Sequence, residues 1–259
     1  MQKRHTDRAL YFNELSITSE KHLLPFIEKK LPITPGMKIL EIGCGDGGNL
    51  VPFVRRGCHV TGVDIDKTRI QQANTFMDEY NCVAQLFVAD ILTDNRFDKD
   101  YDLLIIHDVI EHIYDKEAFF TRIKELLKPN GIIYFGFPAW QMPFGGHQQI
   151  CPGKLASHLP FIHLLPARCY RFLLSCLGEE KGTIEGMLEI KSCGITIEQF
   201  KRLTKRYQLN IIEEQLYFIN PHYETKFGLK PRKLYPFISK IPFVRNFFST
   251  SCFFLLKLK

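Results

Sequence analysis

Three features are missing from the 259-residue sequence, and each absence excludes a class of protein. None of the eight cysteines is spaced as Cys-x-x-Cys, which excludes the usual zinc-ligand pair and the thioredoxin-like redox motif. The stretch 1–16 lacks the apolar centre of a signal peptide, and the longest apolar region, 155–177, is broken by Pro, His and Arg. We therefore expect a cytoplasmic protein with free thiols, no structural metal and no membrane-spanning segment.

The composition is that of a soluble globular protein, with 45% hydrophobic and 24% charged residues. The formal net charge of +6 is mild. Such a charge is compatible with an anionic membrane surface, a nucleic acid or an acidic substrate, and does not choose among them.

Short apolar strands alternate with amphipathic helices along the first half of the chain. Strands are predicted at 37–41, 58–64, 83–90, 101–107 and 132–137, and helices at 49–56, 66–80 and 115–127. This alternation predicts a doubly wound, mostly parallel α/β sheet. The pattern stops over 139–194 and resumes with a helix at 196–206 and strands at 209–219 and at the carboxyl terminus.

A glycine-rich loop follows the first predicted strand. Gly43, Gly45 and Gly48 fit the dinucleotide pattern G-x-G-x-x-G, and glycines let a backbone turn sharply and approach a ligand closely. Asp64 ends the next strand, where a carboxylate can accept both hydroxyls of a ribose. Glu41 immediately precedes the loop; its charge disfavours a pyrophosphate and suits the ammonium of a methionine group.

The spacing Glu41-x-Gly43-x-Gly45-x-Gly47 resembles the first motif of the class I S-adenosylmethionine-dependent methyltransferases. Matches to this family continue at Asp64, at Ala89-Asp90, at His107-Asp-Val-Ile-Glu-His112 and in the run 126–138. The resemblance covers 37–137 and the two closing strands. It implies a Rossmann-like, seven-stranded sheet of order 3-2-1-4-5-7-6, with a helical insertion after strand five and S-adenosylmethionine as cofactor.

The resemblance also implies a donor site at the carboxyl edge of the sheet, where open α/β sheets bind ligands. Tyr11 is included because the amino-terminal segment folds over the donor in many relatives, although an ordinary packing helix explains that segment equally well. The residues expected to contact the donor are Glu41, Gly43, Gly45, Gly47, Asp64, Ile65, Asp90, Ile91, His107, Asp108 and Tyr11.

The segment after the fourth strand has three interpretations. Asp108, Glu111 and His112 share one face if the stretch is helical. They resemble the Glu-Val-Leu-Glu-His run of the ubiquinone-synthesis O-methyltransferases, where that run is a proposed divalent-metal site, although Asp here replaces the first Glu. We expect His107 and Asp108 to line the donor pocket, Glu111 and His112 to pair with their surroundings, and no bound metal.

Methyl transfer to a neutral hydroxyl requires alignment and the removal of a proton. His147, which follows two glycines beyond the fifth strand, is the main candidate for this base because imidazole titrates near neutral pH. His112 is the second candidate. A surface or loop-ordering role for His147 is an equally good interpretation.

Apolar side chains in 139–194 predict a pocket for a small or lipid-like acceptor. The resemblance to the ubiquinone-synthesis O-methyltransferases implies that the acceptor is methylated at oxygen. The chain is accordingly divided into an amino-terminal helical cap, a donor-binding core, a helical substrate-binding insertion and the remainder of the core sheet, at 1–36, 37–138, 139–194 and 195–259.

The segment 221–248 alternates basic and aromatic residues. Such a segment fits peripheral membrane contact or single-stranded nucleic acid, and a packed core with solvated cations is the default. An RNA methyltransferase is one alternative function, but no RNA-binding module and no Asn/Asp-Pro-Pro-Tyr/Phe run is present, so we do not expect a nucleic-acid partner. A non-catalytic S-adenosylmethionine-binding module is the other alternative.

Overall fold

The computed structural model describes residues 7–97 and 99–259. In that part of the chain, eight strands form a single sheet. The strands are β1 (Lys38–Ile42), β2 (His59–Asp64), β3 (Gln85–Val88), β4 (Tyr101–His107), β5 (Leu127–Phe137), β6 (Leu209–Ile219), β7 (Arg232–Lys233) and β8 (Ser251–Leu258).

The strand order is β3-β2-β1-β4-β5-β8-β6-β7. Strands β1 to β5 are parallel to one another, and β8 lies antiparallel between β5 and β6. The α/β class and the predicted order are thereby confirmed. The strand count differs by one because the two-residue β7 pairs with the outer edge of β6 and is too short to show a periodic pattern.

The helices occupy both faces and the carboxyl edge of the sheet. They are α1 (Arg8–Thr18), α2 (Leu24–Glu28), α3 (Val51–Arg55), α4 (Lys67–Glu79), α5 (Lys116–Leu126), α6 (Lys154–His158), α7 (Ala167–Cys176), α8 (Lys181–Cys193), α9 (Ile197–Arg206), α10 (His222–Phe227), α11 (Pro236–Ser239) and α12 (Val244–Phe248). A π-helical turn, Ser19–Leu23, joins α1 to α2. Asp66 caps α4, its carboxylate accepting the Thr68 N–H at 2.8 Å.

The core is split by the sheet into two layers. Alternate residues of β4 point to opposite faces, so Leu103 and Ile105 pack with α1 to α4, whereas Leu104 and Ile106 pack with α5 and α9. This explains why β4 appears in the sequence as a continuous apolar run. The run Pro129-Asn130-Gly131 is typical of a turn, but it lies inside β5, where the pairing register with β4 shifts.

Helices α6 to α8 follow β5 and form the predicted helical insertion. They pack around a small core of their own, in which Tyr170, Leu174 and Met187 are buried. Within the described residues, no helix combines the length and apolarity needed to cross a bilayer.

Candidate functional site

The glycine loop after β1 adopts backbone conformations that side-chain-bearing residues rarely take. Gly43, Gly45 and Gly47 have φ of 71°, 52° and 85°. A Cβ at Gly43 would lie 2.4 Å from a methyl of Val109, and one at Gly48 would lie 2.5 Å from the carbonyl oxygen of Phe12. The loop therefore needs glycine both for its shape and for the close approach of α1.

Glu41 lies beneath this loop with 1% of its surface exposed. One carboxylate oxygen accepts the Asn49 amide at 2.9 Å, and the other has no hydrogen-bond partner among the described residues. Burial raises the pKa of Glu41 to about 8. The carboxyl is thus largely protonated at neutral pH, and a cation placed beside it would favour loss of that proton.

Asp64 connects the loop to the end of β2. One of its carboxylate oxygens accepts the Gly45 N–H at 2.9 Å, and the other accepts the Asp66 N–H at 2.8 Å. A carboxylate oxygen has more than one lone pair, so both oxygens can still accept a ribose hydroxyl. The neighbouring Ile65 is 77% exposed.

Asp90 lies after β3 at the same edge of the sheet. Its side chain is exposed, and one carboxylate oxygen accepts the Leu92 N–H at 2.9 Å. The side chain of Ile91 is buried in the core. Only the backbone of Ile91 is therefore left for the expected contact with the donor.

His107 and Asp108 end β4. The His107 ring is stacked on Tyr134, and its Nδ1 lies 3.0 Å from the Tyr134 hydroxyl. Gly136 makes room for this ring, because a Cβ there would lie 2.4 Å from Nδ1. Asp108 has φ 53° and an exposed side chain.

The condition for a shared helical face after β4 is not met. The backbone of Asp108 is in the left-handed region, and only Ile110–His112 form a single 3-10 turn. As a result, the Asp108 side chain is exposed whereas Glu111 is buried. The expectation that Glu111 pairs with its surroundings is also wrong, since neither carboxylate oxygen has a hydrogen-bond partner in the described part of the chain.

A cavity of about 370 Å³ joins the donor side of the site to the insertion. Its walls come from α1, the start of α4, the ends of β4 and β5, the insertion and the segment after β6. The lining residues are Arg8, Tyr11, Arg69, Asp108, His112, Pro138, Met142, Phe144, His147, Gln149, Ile150, Asn220, His222, Tyr223, Lys226 and Thr250. A larger cleft of about 600 Å³, near Lys38 and His59, lies at the opposite edge of the sheet, away from the glycine loop.

His147 lies in the wall of this cavity and is half-buried. Its Nε2 is buried and has no hydrogen-bond partner among the described residues. Burial, followed by the neighbouring His112, lowers the pKa of His147 to about 4, so the ring is neutral at pH 7. The loop is ordered instead by Gln148, whose amide donates to the carbonyls of Pro143 and Leu159 at 2.9 and 3.2 Å.

Glu111, His112 and His147 form a cluster whose potential ligand atoms all lie within 4.8 Å of one another. The two imidazole rings are 4.9 Å apart. Burial, followed by the nearby Asp108, raises the pKa of Glu111 well above its ordinary value. One carboxylate and two imidazoles are a donor set that fits a divalent cation, and Asp108 does not belong to it. The absence of a metal stays a prediction.

Several cavity residues are not among those that the motifs predict. The Arg8 guanidinium donates to the buried carboxylate of Asp46 and lies 4.8 Å from the centre of the Tyr11 ring. His222 is edge-on to Tyr11 with ring centres 6.0 Å apart, and burial lowers the pKa of His222 to about 4. Topology is the signal for His222, because it follows a strand that ends at the ligand edge of the sheet.

Residues 40–133 match a family model described as a methyltransferase domain. The chain is 37% identical over 111 residues to the ubiquinone biosynthesis O-methyltransferase of Rhodopseudomonas palustris strain HaA2, which covers 40% of this chain and 41% of that protein. It is 36% identical over 107 residues to phosphoethanolamine N-methyltransferase 1 of Zea mays, covering 41% of this chain and 21% of that protein. The chain thus spans less than half the length of these two relatives.

Solved structures show the same fold at low sequence identity. The phosphoethanolamine N-methyltransferase 2 of Haemonchus contortus aligns with a TM-score of 0.60 and 16% identity, over 99% of this chain and 58% of that chain. A Thermotoga maritima protein described as an S-adenosylmethionine-dependent methyltransferase aligns with a TM-score of 0.56 and 13% identity, over 99% of this chain and 95% of that chain.

The matched segment contains the end of β1, all of β2 to β4, the glycine loop, Asp64, Asp90 and the start of β5. These are the elements that form the candidate donor site. Residues 40–133 are therefore similar to the methyltransferase domain family, as the motifs of the sequence predicted.

Proposed function

We propose that this protein transfers a methyl group from S-adenosylmethionine to a small, lipophilic acceptor, with oxygen as the methylated atom. The observation that carries the proposal is the 370 Å³ cavity, which brings Tyr11 and Asp108 of the donor side together with His147 of the insertion. A donor and an acceptor must meet in one space for an in-line transfer, and alignment alone can supply roughly 7–11 kcal/mol of the barrier.

The donor would lie along the carboxyl edge of β1, β2 and β3. Asp64 would accept its ribose hydroxyls, and Asp90 would accept from its adenine amine. The Glu41 carboxyl lies beneath the loop that would hold the methionine group. When bound, the donor supplies a methyl group already activated on a sulfonium, so the protein's contribution is to bind, orient and exclude water.

His147 is the group that would accept the acceptor's proton. It is neutral at pH 7, its Nε2 has no hydrogen-bond partner among the described residues, and the residue lines the cavity. A pKa of about 4 makes it a weak base, so we expect a gain at the low end of the usual 10²–10⁴-fold. The negative charge of Asp108 raises the pKa of His147 and so helps the ring to hold the proton during transfer.

The apolar part of the cavity wall favours a lipophilic acceptor. Met142, Phe144 and Ile150 line the side formed by the insertion. Arg8 and Arg69 line the donor side and support a second candidate, an amine that bears a phosphate or carboxylate. The relatives named for ubiquinone synthesis and for phosphoethanolamine methylation correspond to these two acceptor classes.

A divalent cation held by Glu111, His112 and His147 would change the mechanism. The cation would polarise an acceptor hydroxyl directly. The ring nitrogen of His147 that binds the cation would then have no lone pair left to accept the proton of that hydroxyl. Turnover measured with EDTA, and again after adding Mg²⁺, Mn²⁺ or Zn²⁺, separates the two cases. Activity that EDTA abolishes and one ion restores would favour the metal.

The first test is calorimetric titration with S-adenosylmethionine, S-adenosylhomocysteine and NAD. We expect micromolar binding of the first two and none of NAD. Asp64→Asn should weaken both at least tenfold, whereas Asp78→Asn, an exposed change on α4, should not. Binding of NAD alone, or of no ligand, would overturn the proposed donor.

The second test compares acceptors in a turnover assay. Phenols and quinols should be methylated faster than phosphoethanolamine, and the opposite order would favour the amine candidate. His147→Asn should lower kcat and leave the Kd of S-adenosylhomocysteine unchanged. Tight donor binding with no turnover on any acceptor class would favour a non-catalytic binding module.

A further inference from the structure

The net positive charge of the protein comes from one segment. Residues 225–259 contain eight of the 34 Lys and Arg residues and none of the 28 Asp and Glu residues. The other 224 residues therefore hold 26 basic and all 28 acidic side chains, a formal net charge of −2. The mild net charge of the whole chain conceals a strongly basic segment on a slightly acidic body.

The same segment exposes large apolar side chains. Tyr235, Phe237 and Phe243 are 61%, 67% and 64% exposed, and Ile241 and Phe247 are exposed as well. The default expectation of a packed aromatic core is therefore wrong for these residues. We call them, together with Lys233 and Lys240, the aromatic-basic face.

The backbone holds Phe243 outward in a conformation that phenylalanine rarely adopts, with φ 66°. Its N–H donates to the Glu198 carboxylate at 3.0 Å, and Arg245 and Asn246 donate to the same carboxylate. These hydrogen bonds to Glu198 hold the loop in place, while the Phe243 ring projects into solvent. This acid is already bonded to three groups of the segment, so it does not offset the outer cations.

The segment that carries the aromatic-basic face starts and ends at the edge of the sheet that holds the candidate site. β6 runs in the same direction as β5, so the segment between β6 and β8 leaves and re-enters the sheet at the carboxyl edge. Phe247 is 6.3 Å from Phe161 of the insertion, measured between ring centres. The Phe161 N–H donates to the carbonyl of Pro143, next to Phe144 of the cavity wall.

We propose that the aromatic-basic face binds the surface of an anionic lipid bilayer. Lys233 and Lys240 would pair with anionic headgroups, and the exposed rings would enter the boundary between headgroups and acyl chains, where aromatic side chains are favoured. The adsorption itself does not depend on the proposed methyl transfer. Delivery of a lipid-like acceptor to the cavity rests on that function.

Single-stranded nucleic acid is the competing partner for basic and aromatic residues. Bases stack on aromatic rings, and aliphatic side chains offer no such platform. The exposed Ile241, Val244 and Leu229 stand among the rings of this segment. A mixture of aliphatic and aromatic side chains is what burial in lipid requires, so the observations favour the bilayer.

The test is flotation of the full chain with two kinds of vesicle, phosphatidylcholine alone and an equimolar mixture with phosphatidylglycerol. We expect flotation with the mixed vesicles only, and its loss at high salt because screening weakens the charge pairs. The double variant Lys233→Glu/Lys240→Glu should weaken partition onto the vesicles at least tenfold, since one basic residue near such a surface contributes about fivefold. The double variant Phe237→Ser/Phe243→Ser should also weaken it at least tenfold, because it removes two rings that would enter the boundary.

Matched controls lie at the opposite edge of the sheet. Val83→Ser removes an 85% exposed apolar side chain before β3, and Lys205→Glu reverses an exposed charge at the end of α9. Both should float like the unchanged protein, and all variants should keep its thermal unfolding midpoint. Unchanged protein that stays in the soluble fraction with mixed vesicles, or that floats regardless of the face variants, would overturn the proposal. Retention of a single-stranded oligonucleotide without flotation would also overturn it, in favour of nucleic acid.

Discussion

Replacing Glu41 by Gln should stabilise the protein, and the difference in unfolding free energy from the unchanged protein should grow as the pH rises. The carboxyl is 1% exposed and its pKa in the folded protein is about 8, against 4.5 for the ordinary group. A raised folded pKa means that the contribution to stability is fully present below pH 4.5 and is lost as the pH rises through 8. The cause is that the unfolded chain releases this proton over the whole interval while the folded chain retains it.

The magnitude follows from the size of the shift. Each pH unit between the two pKa values costs about 1.4 kcal/mol of unfolding free energy, so by pH 7 the loss is about 3 kcal/mol. Glutamine has the shape of the protonated acid and can still accept from Asn49, so Glu41→Gln should change stability little at pH 5. At pH 7 the variant should be more stable than the unchanged protein by about 2–3 kcal/mol.

Urea unfolding of both proteins at pH 5, 6, 7 and 8 measures this difference directly. Glu20→Gln, an exposed change in the same type of residue, is the control and should show no pH-dependent difference. A difference between Glu41→Gln and the unchanged protein that stays constant from pH 5 to 8 would refute the reasoning. In the same proteins, calorimetry in buffers of different ionisation enthalpy should detect a proton released on donor binding only when Glu41 is present.

Three further predictions concern stability and catalysis. Gly43→Ala should lower the unfolding free energy by about 2–4 kcal/mol and abolish donor binding, because Gly43 has a φ of 71° and the new Cβ would lie 2.4 Å from a Val109 methyl. Its control, Gly186→Ala, lies in open space within α8 and should raise the unfolding free energy by about 0.5–1 kcal/mol in the same urea assay. Because the pKa of His147 is lowered to about 4, unfolding free energy should fall by up to about 3 kcal/mol as the pH drops from 6.5 to 4, and His147→Gln should flatten that slope in acid titrations. Phe254→Ala, at a fully buried position, should cost about 3–5 kcal/mol by urea unfolding, and a loss below 1 kcal/mol would contradict the described packing.

The parts of the fold that depend on local pattern could be predicted from the sequence. β4 was visible because both of its faces are buried, which makes every position from Leu103 to Ile106 apolar. The loop after β1 was visible because positive φ at Gly43, Gly45 and Gly47 restricts those positions to glycine.

The parts that depend on contacts distant in sequence could not be predicted. β7 is two residues long and exists only because β6 offers an unpaired edge. The left-handed backbone at Asp108 turns its carboxylate away from Glu111, and residue spacing along the sequence does not predict that conformation. Arg8 reaches Asp46 across 38 positions of the chain, and no motif of either segment indicates that contact.

The position of β8 has a consequence for how the protein is made. Although β8 is the last strand in the chain, it lies between β5 and β6 in the sheet. Until residues 251–258 have been synthesised, β5 has an open edge and β6 has no partner to join it to the preceding sheet. During translation the parallel strands can therefore form early, whereas the wall of the cavity after β6 must wait. For that interval the nascent chain exposes unpaired strand edges, so aggregation during synthesis should be most sensitive to changes in β8.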